Sequence, residues 1–135
     1  MQIVLQRVTR AAVRVEGRVV GEIGLGLVAL VGVGHRSTAA DAAWLAAKTT
    51  GLRVFADDAG RMNRSLHDVG GSVLAISQFT LYGDASKGRR PSFVDAAPPE
   101  VGERLYEAYC EALDVPVARG VFGAHMVIDM TADGP

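Results

Sequence analysis

The run SVLAISQFTL, residues 72–81, predicts a buried strand that ends in polar groups. Residues 73–76 are a continuous apolar run, which is typical of a strand packed inside a sheet. The residues that follow carry hydroxyl and amide side chains and the free backbone N–H groups of a strand end. Because a rigid strand end can hold polar groups in place for a ligand, we expect the functional site here. The motif RPSF at residues 90–93 follows after a polar gap and is expected to belong to the same site.

The composition indicates an ordinary globular chain. Of its 135 residues, 49% are hydrophobic and 21% are charged, and the net charge is −1. Such values are typical of a folded protein, and this length fits a single domain spanning residues 1–135. The balanced charge gives no support for nucleic-acid binding over the whole surface, although it leaves room for a local basic patch.

The compartment is predicted from the cysteine content and the apolar runs. The single cysteine, Cys110, cannot form an internal disulfide, which fits a reducing cytosol. The N-terminus lacks the basic and apolar regions of a signal peptide. The longest apolar stretch, residues 25–33, is too short for a membrane span and contains glycines. We therefore expect a cytoplasmic protein with no membrane partner.

The periodicity of apolar residues predicts an α+β fold of about seven strands and two helices, with the helices packed on largely antiparallel sheets. One helix is expected at residues 37–50, where Thr38 and Asp41 resemble a capping box, and one at residues 98–113, which begin with prolines. Strands are expected at residues 3–8, 12–15, 19–23, 25–33, 52–55, 72–81 and 122–131, and residues 63–71 are expected to form a loop.

The residues alone leave the chemistry open. Ser77 and Thr80 are candidate nucleophiles, but the chain has no Gly-x-Ser-x-Gly elbow. Hydrogen bonding at the end of a strand explains both hydroxyls more simply. His67-Asp68 and Asp57-Asp58 are possible metal ligands, yet no spacing matches a known metal site. We therefore expect no metal and no other cofactor.

A small basic cluster precedes Phe93. Lys87, Arg89 and Arg90 lie in a polar loop that contains glycine. The loop is either a solvated surface or a site for a phosphate or for the sugar-phosphate end of a nucleic acid, with Phe93 as a stacking face. The chain also ends in Gly134-Pro135, a turn dipeptide in the common setting for a cis peptide bond, or simply a frayed end.

Taken together, these motifs resemble the D-aminoacyl-tRNA deacylase family. The resemblance implies a D-aminoacyl-tRNA deacylase-like fold and a homodimer whose active sites lie at the subunit interface. It implies hydrolysis of the ester between a D-amino acid and the 3′-terminal adenosine of tRNA, and also removal of glycine mischarged onto tRNA(Ala). The motifs that carry it are Gln6-Arg7-Val8 and residues 70–74, 77–81, 90–93 and 122–135.

The resemblance also implies roles for individual residues. Catalysis would depend on positioning and on the 2′-hydroxyl of the tRNA, with the backbone N–H groups of Phe79 and Thr80 stabilising the oxyanion. Thr80 has also been described in the family as a nucleophile. The cis peptide would enter the partner subunit's site and exclude an L side chain. The implied catalytic residues are Ser77, Gln78, Phe79 and Thr80, and the implied substrate-binding residues are Arg7, Arg90, Ser92, Phe93, Met126, Gly134 and Pro135.

Two departures from the family pattern bear on this chiral filter. The family motif reads Asn-x-Gly-Pro-x-Thr, and Ala132 stands in place of the asparagine. The sequence also stops at Pro135, where other members continue into one more strand, so the last C-terminal strand is expected to be missing. Either this sequence lacks a short tail or the protein is truncated, and in a truncated protein the Gly-Pro peptide would be poorly anchored. The alternatives are a binding module for the tRNA end without catalysis, and a metal-dependent hydrolase that uses His67 or His125.

Overall fold

The first strand organises the sheet. The computed structural model describes residues 1–134, and its first strand, β1 (Gln2–Val15), forms a hairpin with β2 (Arg18–Ile23). The turn residues Glu16 and Gly17 have φ values of 50° and 76°. Two consecutive residues of positive φ are typical of the type I′ hairpin turn, and the predicted hairpin is confirmed.

The prediction of two short strands at residues 3–8 and 12–15 is wrong, because β1 changes partners without breaking. Its first half pairs antiparallel with β3 (Gly26–Gly32), and its second half pairs antiparallel with β8 (Val127–Ala132) as well as with β2. The register shifts between Val8 and Arg10, where the partner changes. The chain therefore stays extended across the exposed residues in between.

The centre of the sheet is parallel. β3 pairs with β6 (Ser72–Ser77), and β6 pairs with β7 (Val117–Arg119), both in parallel register. The strand order is β2-β1-β3-β6-β7, with β8 on β1. The expected antiparallel pairing thus holds around β1, whereas the middle of the sheet differs from it. β7 was not predicted because three residues are too few to show a periodicity.

Burial on both faces holds β3 and β6 in place. Leu27 and Val73 pack among the residues under the helices, whereas Val28 and Leu74 pack on the opposite face against Val8 and its neighbours. All of these side chains are at most 1% exposed. The continuous apolar runs in the sequence predicted this burial.

Two long helices cover one face, as predicted. They are α1 (Ala39–Gly51), which begins with the predicted capping box, and α3 (Pro99–Ala112). They contact each other through Thr49 Oγ1 and the Tyr109 hydroxyl, 3.0 Å apart, and burial raises the pKa of Tyr109 to about 12. Within residues 1–134, no helix is both long and apolar enough to cross a membrane.

Three local predictions need correction. Residues 63–71 include most of strand β5 (Met62–Arg64), which pairs with β4 (Phe55–Ala56), and the whole of a further helix, α2 (Leu66–Val69), so the loop prediction is wrong. The strand expected at residues 52–55 is reduced to β4. The strand expected at residues 122–131 begins only at Val127, because the preceding residues turn at Gly123, where φ is 74°.

A glycine controls the pairing of β3 with β6. A Cβ atom at Gly26 would lie 1.9 Å from the carbonyl oxygen of Ser72, and that backbone cannot move without breaking the ladder. Gly26→Ala should therefore lower the free energy of unfolding by about 3 kcal/mol or more, at the upper end of overpacking costs. Urea denaturation measures the change.

The matched control is Gly24→Ala, where an added Cβ would have no atom within 4 Å. Its free energy of unfolding should stay within about 0.5 kcal/mol of the parent, as is usual for exposed positions. Equal stabilities of the two variants would show that the close approach at Gly26 does not limit the fold.

Candidate functional site

The polar strand end lies at a cleft of about 750 Å³. β6 ends at Ser77, and the chain turns into the 3₁₀-helix Phe79–Tyr82, so the expected continuation of the strand to Leu81 is wrong. The Gln78 N–H donates to the Val31 carbonyl at 2.7 Å, which fixes the turn. Gly32 makes room for it, since a Cβ there would lie 3.2 Å from the Gln78 carbonyl oxygen.

The turn leaves donors at the start of the 3₁₀-helix. The N–H groups of a first helical turn have no acceptor within the helix, and here they belong to Phe79 and Thr80. Gln78, at the cap position, makes no side-chain capping bond. Its amide nitrogen donates instead to the Thr80 hydroxyl oxygen. The backbone at this point therefore offers donors for a negatively charged oxygen.

An aromatic pair forms one side of the cleft. The rings of Phe79 and Phe93 meet edge to face, with centroids 5.2 Å apart and planes at 73°. Phe79 remains 58% exposed. Gly83 packs against Phe93, since a Cβ there would lie 3.0 Å from the ring. Exposed aromatic faces beside hydrogen-bond donors suit a flat ring that carries polar groups.

His35 anchors the segment that follows Phe93. Its Nε2 lies 2.7 Å from the Val94 carbonyl oxygen, which can only accept, so the ring nitrogen is the donor. The Ala97 N–H donates to the Val33 carbonyl at 2.9 Å. Together these bonds fasten the segment to the end of β3. His35 lines the cleft but was not predicted as a site residue, because a lone histidine after a strand carries no local signal.

Met126 and Tyr106 also line the cleft. Met126 packs closely on Gly120, where a Cβ would lie 2.5 Å from its sulfur. The Tyr106 hydroxyl donates to the Ala75 carbonyl at 2.9 Å, and burial raises the pKa of this phenol. Tyr106 joins the site only through the packing of α3 on β6, so no local pattern in the sequence predicted it as a site residue.

The predicted residues fall into two groups. Ser77, Gln78, Phe79, Phe93 and Met126 line the cleft, and Thr80 adjoins them. Arg90 and Ser92 belong to an exposed loop beside Phe93 and are not lining residues.

Arg7 and Gly134 lie at the far end of the sheet. Arg7 pairs with Leu27 on β3, whereas Ser77 pairs with Val31, so about 13 Å of strand separates them. Arg7 Nε donates to the carbonyl of Asp133 at 2.8 Å, and the Asp133 N–H donates back to the Arg7 carbonyl at 2.9 Å. Arg7 therefore holds the residue before Gly134, while Pro135 lies outside the described residues.

The histidines do not form a triad in the part of the chain that the structure describes. Neither His35 nor His125 hydrogen-bonds to Ser77 or Thr80, and His67 pairs with Asp114 at 3.2 Å. Among residues 1–134, no three His, Cys, Asp or Glu side chains converge as a metal site. The arrangement instead combines backbone donors, an aromatic pair and an apolar cleft.

Sequence comparison decides the family. The profile of the D-Tyr-tRNA(Tyr) deacylase family matches residues 4–135. The chain belongs to this family. The resemblance inferred from the motifs is thus confirmed, and the family is one of enzymes that hydrolyse aminoacyl-tRNA. The D-aminoacyl-tRNA deacylase of Thermomicrobium roseum is 55% identical over 138 residues, covering 100% of this chain and 90% of that protein. That of Deinococcus deserti is 56% identical, with coverage of 100% and 94%.

Solved structures confirm the α+β class and the deacylase-like fold. Residues 1–134 contain three α-helices where two were expected. A c-Myc DNA unwinding element binding protein superposes with a TM-score of 0.92 at 36% identity, over 100% of this chain and 94% of that one. A probable eukaryotic D-amino acid tRNA deacylase gives a TM-score of 0.80 at 19% identity, over 98% and 94% of the two chains. The second likeness shows the fold alone.

Proposed function

We propose that this chain hydrolyses the ester bond between a D-amino acid and the 3′-terminal adenosine of tRNA, releasing the free D-amino acid and reusable tRNA. The observation that carries the proposal is the strand end at Ser77. There the N–H groups of Phe79 and Thr80 begin a 3₁₀-helix beside the Phe79–Phe93 pair, in which Phe79 is exposed and Phe93 is half-buried. These are the groups needed to hold an ester carbonyl and an adenine ring, and the family of the chain acts on this type of bond.

The reaction follows from this arrangement. The adenine packs on Phe93, and the ester carbonyl lies against the N–H groups of Phe79 and Thr80. Water adds to the carbonyl carbon, assisted by the 2′-hydroxyl of the tRNA, and the carbonyl oxygen becomes an oxyanion. The ester C–O bond then breaks, and the ribose oxygen leaves with the proton from the water. Each backbone donor to the oxyanion is worth about 10²–10³-fold in kcat.

Chiral selection in this proposal needs a second copy of the chain. Gly134 lies beside Arg7, about 13 Å along β3 from the chain's own Ser77, so it does not serve its own cleft. In a homodimer, the Gly134-Pro135 peptide of one copy enters the cleft of the other and clashes with an L side chain. A steric clash rejects a competitor more strongly than contacts worth about 1–3 kcal/mol.

The same filter admits glycine, which has no side chain to exclude. We therefore include glycine mischarged onto tRNA(Ala) among the substrates. A reducing cytoplasm, where tRNA is charged, also suits the buried free thiol of Cys110.

The direct test compares D-tyrosyl-tRNA with L-tyrosyl-tRNA in excess EDTA, with release of tyrosine as the readout. The chain should release D-tyrosine and leave the L ester intact, because the clash acts on the L side chain only. Release of neither would favour a binding module without catalysis. Loss of D-tyrosine release through EDTA alone would favour a metal-dependent hydrolase.

Variants at β1 test the chiral filter separately. Arg7→Ala removes the side chain that holds Asp133 and should raise hydrolysis of the L ester at least tenfold, with little change for the D ester. Arg14→Ala is the matched control, since Arg14 lies on the same strand but pairs with Asp129 at 2.9 Å. If both variants reject the L ester as well as the parent does, Arg7 has no part in selection.

Thr80 distinguishes positioning from nucleophilic catalysis. Thr80→Ala retains the backbone N–H, so kcat/KM for D-tyrosyl-tRNA should fall less than about tenfold, in contrast to the ~10⁴-fold or larger loss typical of a missing nucleophile. Thr9→Ala, an exposed threonine on β1, controls for the loss of a hydroxyl. A loss in the larger range at position 80 alone would make Thr80 the nucleophile.

A further inference from the structure

We infer that Lys87 and Arg89 bind the backbone phosphates immediately 5′ of the terminal adenosine, so that the loop of residues 84–92 clamps the single-stranded end of the RNA. This inference rests on the proposed function, which places the terminal adenosine in the cleft. It adds a second binding element outside the cleft, made of residues that have no part in the chemistry.

The charge of the loop is opposite to that of the whole chain. Residues 84–92 carry three cations against one carboxylate, a net charge of +2, in a chain whose net charge is −1. The remaining residues therefore carry −3, and the loop is a local basic site on an acidic protein. When exposed cations of a protein neutralise phosphates of a nucleic acid, the counterions condensed on those phosphates are released, and this release favours binding.

The cations of the loop are available for a ligand. Every residue from 84 to 92 is exposed, and the ion pairs found in residues 1–134 join other side chains. The one carboxylate of the loop, Asp84, accepts a hydrogen bond from the Ser86 N–H at 2.8 Å. The hydroxyl and the N–H of Ser86 lower the pKa of Asp84, so this carboxylate holds the loop backbone.

The root of the loop fixes its position beside the cleft. Asp84 and Ser92 exchange two backbone hydrogen bonds of 2.8 Å. Gly83 and Phe93, which flank this pair, pack on each other. The seven residues between the paired positions can reach at most about 12 Å from the root, half of their extended length. Their cations therefore stay within reach of a strand that leaves the cleft past Phe93.

The tip of the loop separates the two cations. Gly88 lies between Lys87 and Arg89 and has a φ of 72°, a conformation that a side chain would disfavour. The chain thus turns sharply at the tip, with one cation on each side of the turn. Contacts of this kind read the phosphates and not the bases, which suits an enzyme that serves tRNAs of many sequences.

The test is the salt dependence of kcat/KM for D-tyrosyl-tRNA, measured for the full chain and for the K87A/R89A double variant. Each phosphate contact on a single strand contributes about 0.7 to the slope against log salt. Removing two contacts should make the slope of log kcat/KM against log salt shallower by about 1.4. The ratio of kcat/KM for the parent to that for the variant should therefore fall about sevenfold between about 50 and about 200 mM salt. Lys87→Arg with Arg89→Lys keeps both charges and should keep the parent slope.

Two controls separate a phosphate clamp from a structural effect. R18A/R61A removes two exposed cations from positions that do not line the cleft and should leave the slope unchanged. The D-tyrosyl ester of adenosine has no phosphate, so the parent and K87A/R89A should hydrolyse it equally. The inference would be overturned if the parent and K87A/R89A had the same salt slope on tRNA. It would also be overturned if K87A/R89A lost as much kcat/KM on the adenosine ester as on tRNA.

Binding of uncharged tRNA, followed by fluorescence polarisation, gives a readout that does not depend on hydrolysis. The same change in slope is expected between the parent and K87A/R89A. If the parent binds with that slope but releases no D-tyrosine, the clamp stands and the proposed hydrolysis fails. If the parent hydrolyses D-tyrosyl-tRNA and the slopes coincide, the hydrolysis stands and the clamp fails.

Discussion

The parallel pairing of β3 with β6 fixes the position of every other part of the site. Residues 27–31 lie opposite residues 73–77, and both strands are buried on both faces. A slip of one residue would bring a side chain in place of Gly26 against the Ser72 carbonyl oxygen and would mismatch the packed side chains on both faces, so the register is specified by packing. Glycines stand at both ends of β3. A Cβ at Gly26 would collide with the Ser72 carbonyl oxygen, whereas a Cβ at Gly32 would make a tight contact of 3.2 Å with the Gln78 carbonyl oxygen. The buried part of β6 thus determines where its polar end lies.

From that fixed end, the site in the proposed function works mainly through backbone groups and shape. In the proposed reaction, the donors at Phe79 and Thr80 do not titrate, and the aromatic pair and the apolar cleft position the ester for the attacking water. Hydrogen bonds from His35 and Tyr106 hold carbonyls of the surrounding wall and of β6 itself. Such an arrangement has little need of a charged nucleophile, because preorganised donors act without reorganisation.

The sequence predicted those features that depend on local patterns. The buried strands, the hairpin at Glu16-Gly17 and the capping box of α1 each have a signature within a few residues. The one-turn helix α2 also had a signature, Ser65 with Asp68, but its length hid it in a loop. The end of β6 at Ser77 was not predictable in this way, because it depends on a hydrogen bond to Val31 from a distant strand.

The candidate site shows the same division. The motif at residues 77–80 and Phe93 were predicted, and they lie together at the cleft. His35 and Tyr106 reach it only through tertiary packing, so no local pattern indicates them. Arg7 and Gly134 carry family motifs but lie at the opposite end of the sheet, and the role proposed for them requires a second copy of the chain.

The most direct measurement is a crystal structure of the chain with D-tyrosyl-3′-amino-3′-deoxyadenosine, in which an amide replaces the labile ester. The proposed function predicts a carbonyl oxygen about 3 Å from the backbone nitrogens of Phe79 and Thr80, with the adenine against Phe93. A carbonyl directed to the Thr80 hydroxyl, or an adenine outside the cleft, would contradict it.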